Sequence, residues 1–223
     1  MSLPTLIFDF DSTLINVESL ELLFEMCLKN HPNKNTILRQ IKQITDLGME
    51  GKITFQESIS QRIQLLHAYR DLVTQVGQLI KTIHITPSVL KNRQFFADNA
   101  PKIYVISGGF DELTLPTTQF LGIPDTHVFT NRFLYDKDNQ IYGLDQTRLT
   151  SQTQGKVNQL RLLNLPHPII AIGDGFTDLE MYLEGAADDF IAFTENVSRN
   201  SVLSQAPHQA DNFNQLISLL QSA

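Results

Sequence analysis

The run Leu6-Ile7-Phe8 carries no polar residue on either side of its alternation and empties into Asp9-Phe10-Asp11-Ser12-Thr13. A strand apolar on both faces must be covered on both faces, which is the pattern of a central strand in a parallel sheet. Extended chain sends residues i and i+2 to the same side, so the carboxylates of Asp9 and Asp11 converge. In an open α/β sheet that point lies off the C-terminal strand ends, where ligands bind. A second apolar run, Ile169-Ile170-Ala171-Ile172, repeats the design and empties into Gly173-Asp174-Gly175-Phe176-Thr177-Asp178. Four carboxylates at the exits of two buried strands imply a magnesium-dependent phosphoryl-transfer site, because Mg²⁺ takes oxygen ligands and partners phosphate.

Between and after these runs the periodicity alternates. Residues 18–26, 37–44, 55–66 and 72–80 repeat their apolar positions with helical spacing, with no strand between them. Thr86-Pro87 ends this block, since the residue before a proline is pushed out of helix. A short helix near 89–97 leads to a strand at 103–106 that ends in Ser107-Gly108-Gly109, followed by a helix over about 110–121. Strands at 128–134 and 141–144 flank Asp136-Lys137-Asp138-Asn139 as a β-hairpin. A helix over 155–163, the strand from Ile169, a helix over 178–184, a strand at 190–193 and an amphipathic tail at 213–220 complete the chain. Alternating strand and helix predicts an α/β fold with a Rossmann-like, doubly wound parallel sheet. The expected organisation is a catalytic core of residues 1–15 and 86–223, interrupted by a helical cap of residues 16–85 that sits over the strand ends.

Composition removes several classes. The net charge is −7, and the 17 Lys and Arg are scattered, so the basic stripe of a nucleic-acid binder is absent. No apolar stretch approaches the roughly 20 residues that span a bilayer, which argues against a membrane partner. The N-terminus has no secretory-signal pattern, and Cys27, the single cysteine, forms no internal disulfide, so a cytoplasmic protein is expected. Cys27 reads as a small hydrophobe on a helix. The six histidines show no metal-ligand spacing and read as surface or loop residues.

The motifs Asp9-Phe10-Asp11-Ser12-Thr13, Ser107-Gly108-Gly109, a lysine before the third core strand, and Gly173-Asp174-Gly175-Phe176-Thr177-Asp178 together resemble the haloacid dehalogenase superfamily of aspartate-nucleophile phosphatases. The resemblance implies that Asp9 attacks phosphorus to give an aspartyl-phosphate. It implies that Asp11 is general acid and then general base, with its proton retained because Asp9 lies close by. By the same resemblance Asp9, the main-chain carbonyl of Asp11 and Asp174 ligate Mg²⁺ directly, and Asp178 acts through water. Ser107 and the amides of Gly108 and Gly109 would hold phosphate oxygens, offered at a helix N-terminus, and Thr177 adds a hydroxyl. One departure stands out. Close relatives place the phosphate-binding lysine just before a glycine that starts a helix, where this chain has Gln154, with Lys156 two positions on. Two positions along a formed helix is about 200° of rotation, which turns Lys156 away unless the helix begins after it. No better lysine lies between the hairpin and Asp174, so Lys156 is the candidate phosphate-binding residue.

Within the superfamily the chain most resembles the phosphoserine phosphatase family, through Glu18, the stretch Met49-Glu50-Gly51-Lys52-Ile53-Thr54-Phe55-Gln56-Glu57-Ser58, and Arg62. The resemblance implies that Glu18 and Arg62 grip the ammonium and carboxylate of O-phospho-L-serine, with Met49 and Phe55 as apolar wall. A zwitterion needs one anionic and one cationic partner, and arginine pairs bidentately with carboxylate. A glycine of that family before the second strand is missing from Thr86-Pro87-Ser88-Val89. The activity implied is phosphoserine hydrolysis in serine biosynthesis. The alternatives are the same chemistry on phosphohomoserine or phosphoethanolamine, or a weakly active phospho-acceptor or binding relative.

Overall fold

The structure, a computed structural model, describes residues 3–49, 52–66 and 68–222, without the side chains of Asp46, Met49, Phe55 and Ser222. The first apolar run forms β1 (Thr5–Phe8), buried along its whole length. Four helices follow, α1 (Ser19–Cys27), α2 (Lys34–Met49), α3 (Phe55–Gln64) and α4 (Arg70–Ile83). The start of α3 is set locally. Thr54 caps α3 by accepting the Glu57 N–H at 3.1 Å, while the Glu57 carboxylate accepts the Thr54 N–H at 2.8 Å. Pro87 occupies the first turn of α5 (Pro87–Lys91), and Asn92 breaks the expected single helix, so that α6 (Arg93–Asp98) is separate.

The chain then enters β2 (Ile103–Phe110), α7 (Asp111–Leu121), β3 (Val128–Asn131) and a hairpin of β4 (Phe133–Tyr135) and β5 (Ile141–Leu144). After it come α8 (Gly155–Leu163), β6 (Ile169–Gly173), α9 (Phe176–Leu183), β7 (Asp189–Phe193), α10 (Asn200–Leu203), β8 (His208–Ala210) and α11 (Phe213–Ser222). Six strands form one sheet in the order β3-β2-β1-β6-β7-β8, with every neighbouring pair parallel. β1 therefore lies between β2 and β6, and Leu6 stands in register with both Ile103 and Ile170. The hairpin is antiparallel and forms its own two-stranded sheet.

The pleat sorts the apolar residues into two layers. Leu6, Phe8, Ile170 and Ile172 belong to one core, and Ile7, Ile169 and Ala171 to the other. On the first side Phe8 lies 5.5 Å from Phe96 and 6.1 Å from Phe213, ring centre to ring centre, which docks α6 and α11 onto β1. Fully burying a side chain of this size stabilises by about 1.5–3 kcal/mol, so these contacts anchor the sheet's covering helices.

The connections into and out of the four helices run side by side. Asn16 N–H donates to the His84 carbonyl at 2.8 Å, and Thr86 N–H donates to the Leu14 carbonyl at 3.0 Å. Asn196, beyond β7, clamps both with its amide, donating to the Ser12 carbonyl at 3.0 Å and the Thr86 hydroxyl at 2.7 Å. α4 lies so close to α7 that a methyl group on Gly77 would sit 2.4 Å from the Glu112 carbonyl oxygen. Gly77→Ala is therefore expected to lower stability by about 1–3 kcal/mol. The check is a lower urea midpoint at unchanged slope.

Candidate active site

Parallel strands bring their C-terminal ends together, and the chain has placed its acids there. Asp9 and Asp11 follow β1, and Asp174 follows β6, whose register with β1 ends at Phe8 opposite Ile172. Asp178 lies in the first turn of α9. One carboxylate oxygen from each of Asp9, Asp174 and Asp178 lies within 4.8 Å of the others, and all three residues are buried. Gly173 is what lets Asp178 fold back into this cluster, because a methyl group there would meet its carboxylate at 2.3 Å.

Lys156 enters the cluster, and the angular expectation from the sequence fails. Its ammonium lies 2.8 Å from Asp9 Oδ1 and 2.7 Å from Asp178 Oδ1, with the residue only 8 % exposed. α8 does begin at Gly155, before the lysine. Gln154, however, precedes that helix in the left-handed region, with φ +54°, so positions 154 and 156 share no common helical rotation. Gly155 presses the helix start against the preceding turn, where a methyl group would approach the Leu149 carbonyl oxygen to 2.2 Å. Burial favours the neutral amine, but the Asp178 and Asp9 carboxylates outweigh it and hold Lys156 charged.

The acids differ in how they are held. Asp9 Oδ1 accepts the Phe10 N–H at 2.7 Å as well as Lys156. Asp178 uses both oxygens, one for Lys156 and the other for the Gly175 N–H at 3.0 Å. Burial pushes the Asp174 carboxyl up to about 6, with Asp9 adding to the rise and Arg199 opposing it. Asp11 accepts the Ser19 N–H at 2.9 Å, at the start of α1. Its carboxyl is held well above the usual carboxylate range by burial, then by the charges of Glu18 and Asp9.

Asp9, Asp11 and Lys156 line a cavity of about 620 Å³ that also receives Glu18, Glu21 and Arg62 from the helical insertion, together with Ser107, Gly108, Gly109, Gln154 and Thr177. Ser107-Gly108-Gly109 departs from its expected place at a helix start. β2 continues through it to Phe110, with its register against β3 shifted between Ile106 and Phe110, and α7 begins only at Asp111. The Gly109 N–H donates to the Ser107 hydroxyl at 3.1 Å. Thr177 is exposed at the cavity edge. Met49 and Phe55 keep their backbone places in α2 and α3, and their side chains lie outside the described set, as do Glu50 and Gly51.

Three site residues escaped the sequence reading. Asn131 donates to the Gly108 carbonyl at 2.8 Å and accepts from Thr150 at 2.9 Å, which fixes the Ser107-Gly109 segment. Arg199 donates to Asp174 Oδ2 at 2.9 Å and lies 3.9 Å from Glu18. Glu21 pairs with Arg62. Asn131 is the last residue of β3 and Arg199 follows the C-terminal end of β7, and the rule that ligands gather at such strand ends is the available signal.

The comparisons agree with this geometry. The haloacid dehalogenase-like hydrolase family model matches residues 6–182. Human phosphoserine phosphatase is 30% identical over 219 residues, covering 96% of this chain and 92% of that protein. The phosphoserine phosphatase of Drosophila melanogaster is 33% identical over 219 residues, covering 94% of this chain and 75% of its own. Among solved structures, a phosphoserine phosphohydrolase-like protein from Francisella tularensis subsp. tularensis SCHU S4 superposes with a TM-score of 0.83 at 31% identity, covering 97% of this chain and 99% of that one. The chain belongs to the haloacid dehalogenase-like hydrolases and, within them, to the phosphoserine phosphatase family. Its class is phosphoric monoester hydrolase.

Removing Lys156 leaves buried carboxylates uncompensated. Lys156→Met is expected to cost about 3 kcal/mol of stability and to reduce phosphatase turnover to background, whereas Gln154→Ala stays within about threefold of wild type. Denaturation and steady-state phosphate release on both variants are the checks.

Proposed function

We propose that this chain hydrolyses O-phospho-L-serine to serine and phosphate through an aspartyl-phosphate on Asp9, with Mg²⁺ as cofactor, as a step of serine biosynthesis. The observation that carries the substrate reading is Arg62. Its Nε is buried without a hydrogen-bond partner, and its contact with Glu21 is a single long one of 3.5 Å. A guanidinium with unspent donors, in the same cavity as Asp9, suits a planar anion such as an α-carboxylate. Glu18, in the same cavity, supplies the negative partner for an ammonium.

Residues 16–85 are proposed as a cap over a core of residues 1–15 and 86–223, so the amino-acid end of the substrate meets the cap and the phosphate meets the strand ends. Asp9 Oδ1 is held by Lys156 and the Phe10 amide, which leaves Oδ2 to attack phosphorus. As the phosphorus–oxygen ester bond breaks, Asp11 gives its proton to the leaving serine oxygen. The raised affinity of that carboxyl for protons keeps it in the donor form beforehand. Asp11 then takes a proton from the water that attacks the aspartyl-phosphate, which releases phosphate and restores Asp9. Ser107, the Gly108 and Gly109 amides, Lys156 and the Thr177 hydroxyl are assigned to the phosphate oxygens.

The residues fit a magnesium ion. Asp9 and Asp174 offer buried carboxylate oxygens at the strand ends, and their crowding favours a divalent cation there. With the Asp11 main-chain carbonyl they would hold Mg²⁺, whose charge offsets that of phosphate and nucleophile.

Asp9→Asn is expected to reduce phosphate release from phosphoserine by more than about 10³-fold. Arg62→Ala is expected to raise KM for phosphoserine at least tenfold and to change hydrolysis of p-nitrophenyl phosphate far less. Equal losses on both esters would move the assignment to a substrate without a carboxylate.

A second expectation concerns pH. The Asp174 carboxyl is raised in the fold, so the native state binds more protons than the unfolded chain between about 4 and 6. Its contribution to metal-free stability therefore falls as pH rises through 6. Cation binding needs the ionised form, so the rise in Tm on adding Mg²⁺ should be larger at pH 7 than at pH 5. Thermal melts with and without Mg²⁺ at the two pH values provide the comparison.

A further inference from the structure

Glu18, Glu21 and Arg62 line the cavity together with Lys52 and Glu57, and Glu18 and Glu21 are tied very differently. Glu18 is held from the core side: the Ser12 hydroxyl donates to it at 2.7 Å, and Arg199 lies 3.9 Å away. Glu21 sits one helical turn further along α1, with its side chain 44 % exposed, and its described contact is the 3.5 Å one to Arg62, whose side chain is 12 % exposed. Burial pushes the Glu21 carboxyl up, Arg62 pulls it down, and Glu18 and Glu25 push it up again. Geometry leaves the pair half made. Only Nη1 of Arg62 reaches Glu21, whereas Nε is buried and unpartnered.

We propose that Glu21 is a specificity-determining residue of this site, an internal counter-anion that occupies Arg62 in the empty cavity and disfavours phosphomonoesters bearing a carboxylate but no ammonium. The premise is the reading above, that Arg62 receives the substrate carboxylate. A carboxylate arriving at Arg62 must displace the Glu21 contact and then sit beside two negative side chains. An amino-acid phosphate brings its own ammonium, which Glu18 and Glu21 both attract, and so recovers what the displacement costs. A phosphorylated hydroxy acid brings only a third negative charge. The ion pair's poor geometry serves this role, because a well-made bidentate pair would resist displacement by any ligand.

The test is calorimetric binding to the whole chain without Mg²⁺, so that turnover does not enter. The two ligands are O-phospho-L-serine and 3-(phosphonooxy)propanoate, the same skeleton lacking the amino group. Glu21→Gln keeps the size of the side chain and removes its charge, and Glu21→Asp keeps the charge. Glu21→Gln should tighten the desamino ligand about three- to fivefold, the scale of a partly exposed ion pair, and shift phosphoserine by less, so the ratio of the two Kd values narrows. Glu21→Asp should hold that ratio within about twofold of wild type. An unchanged ratio in Glu21→Gln overturns the proposal, as does a ratio that narrows equally in Glu21→Asp, which would mark a packing effect. Wild type binding both ligands alike would overturn the phosphoserine reading instead. In that case tightening of the desamino ligand in Glu21→Gln would still uphold the Glu21–Arg62 contact as a charge gate, and its absence would remove that too.

Discussion

The site depends on one cation in the wrong place for a surface lysine. Asp9, Asp174 and Asp178 bring three carboxylates together in a buried volume, and two like charges at about 4 Å repel by roughly 4 kcal/mol at an effective dielectric constant near 20. Lys156, bridging Asp9 and Asp178, is what makes that concentration of charge tolerable in the folded chain. Two glycines make the bridge possible. Gly155 lets the start of α8 press against the Leu149 carbonyl, and Gly173 leaves room for the Asp178 carboxylate. Backbone closeness and charge compensation are therefore one requirement met in two parts of the chain.

The residues most legible in the sequence were those whose constraint is local. β1 and β6 had to be central strands because each is apolar on both faces, and their exits had to carry the chemistry. Glu18 and Arg62 were legible only as members of a family pattern. Lys156 is legible as the available lysine, but its direction is not, because a rotation counted along a helix from position 154 does not apply where Gln154 lies outside the helix in the left-handed region. Ser107-Gly108-Gly109 was read as a turn at a helix start, whereas β2 runs through it by pairing irregularly with β3. Such a shift depends on the partner strand and leaves no mark in local propensity. Asn131 and Arg199 are single polar residues at or after strand ends, indistinguishable in sequence from loop residues until their partners, the Gly108 carbonyl and Asp174, are brought beside them.

The segment after β7 joins the two halves of the cavity. Asn196 holds the chain on its way into the helical insertion and on its way out, through Ser12 and Thr86. Three residues later Arg199 reaches Asp174 on the core floor and approaches Glu18 at the start of the insertion. Glu18 is thus held from the core side by Ser12 and Arg199, while Arg62 is carried by α3, beyond the connections that Asn196 clamps. In the proposed reading, the ammonium contact stays fixed to the catalytic floor, and the carboxylate contact belongs to the element that would have to move for substrate to enter. Specificity then requires both contacts to be made in one geometry, because a ligand satisfying Glu18 alone gains nothing from closure at Arg62. In the same reading, the end of the cavity at Asp9 and Lys156 is tightly bonded, and the far end keeps a guanidinium whose Nε has no partner until substrate arrives.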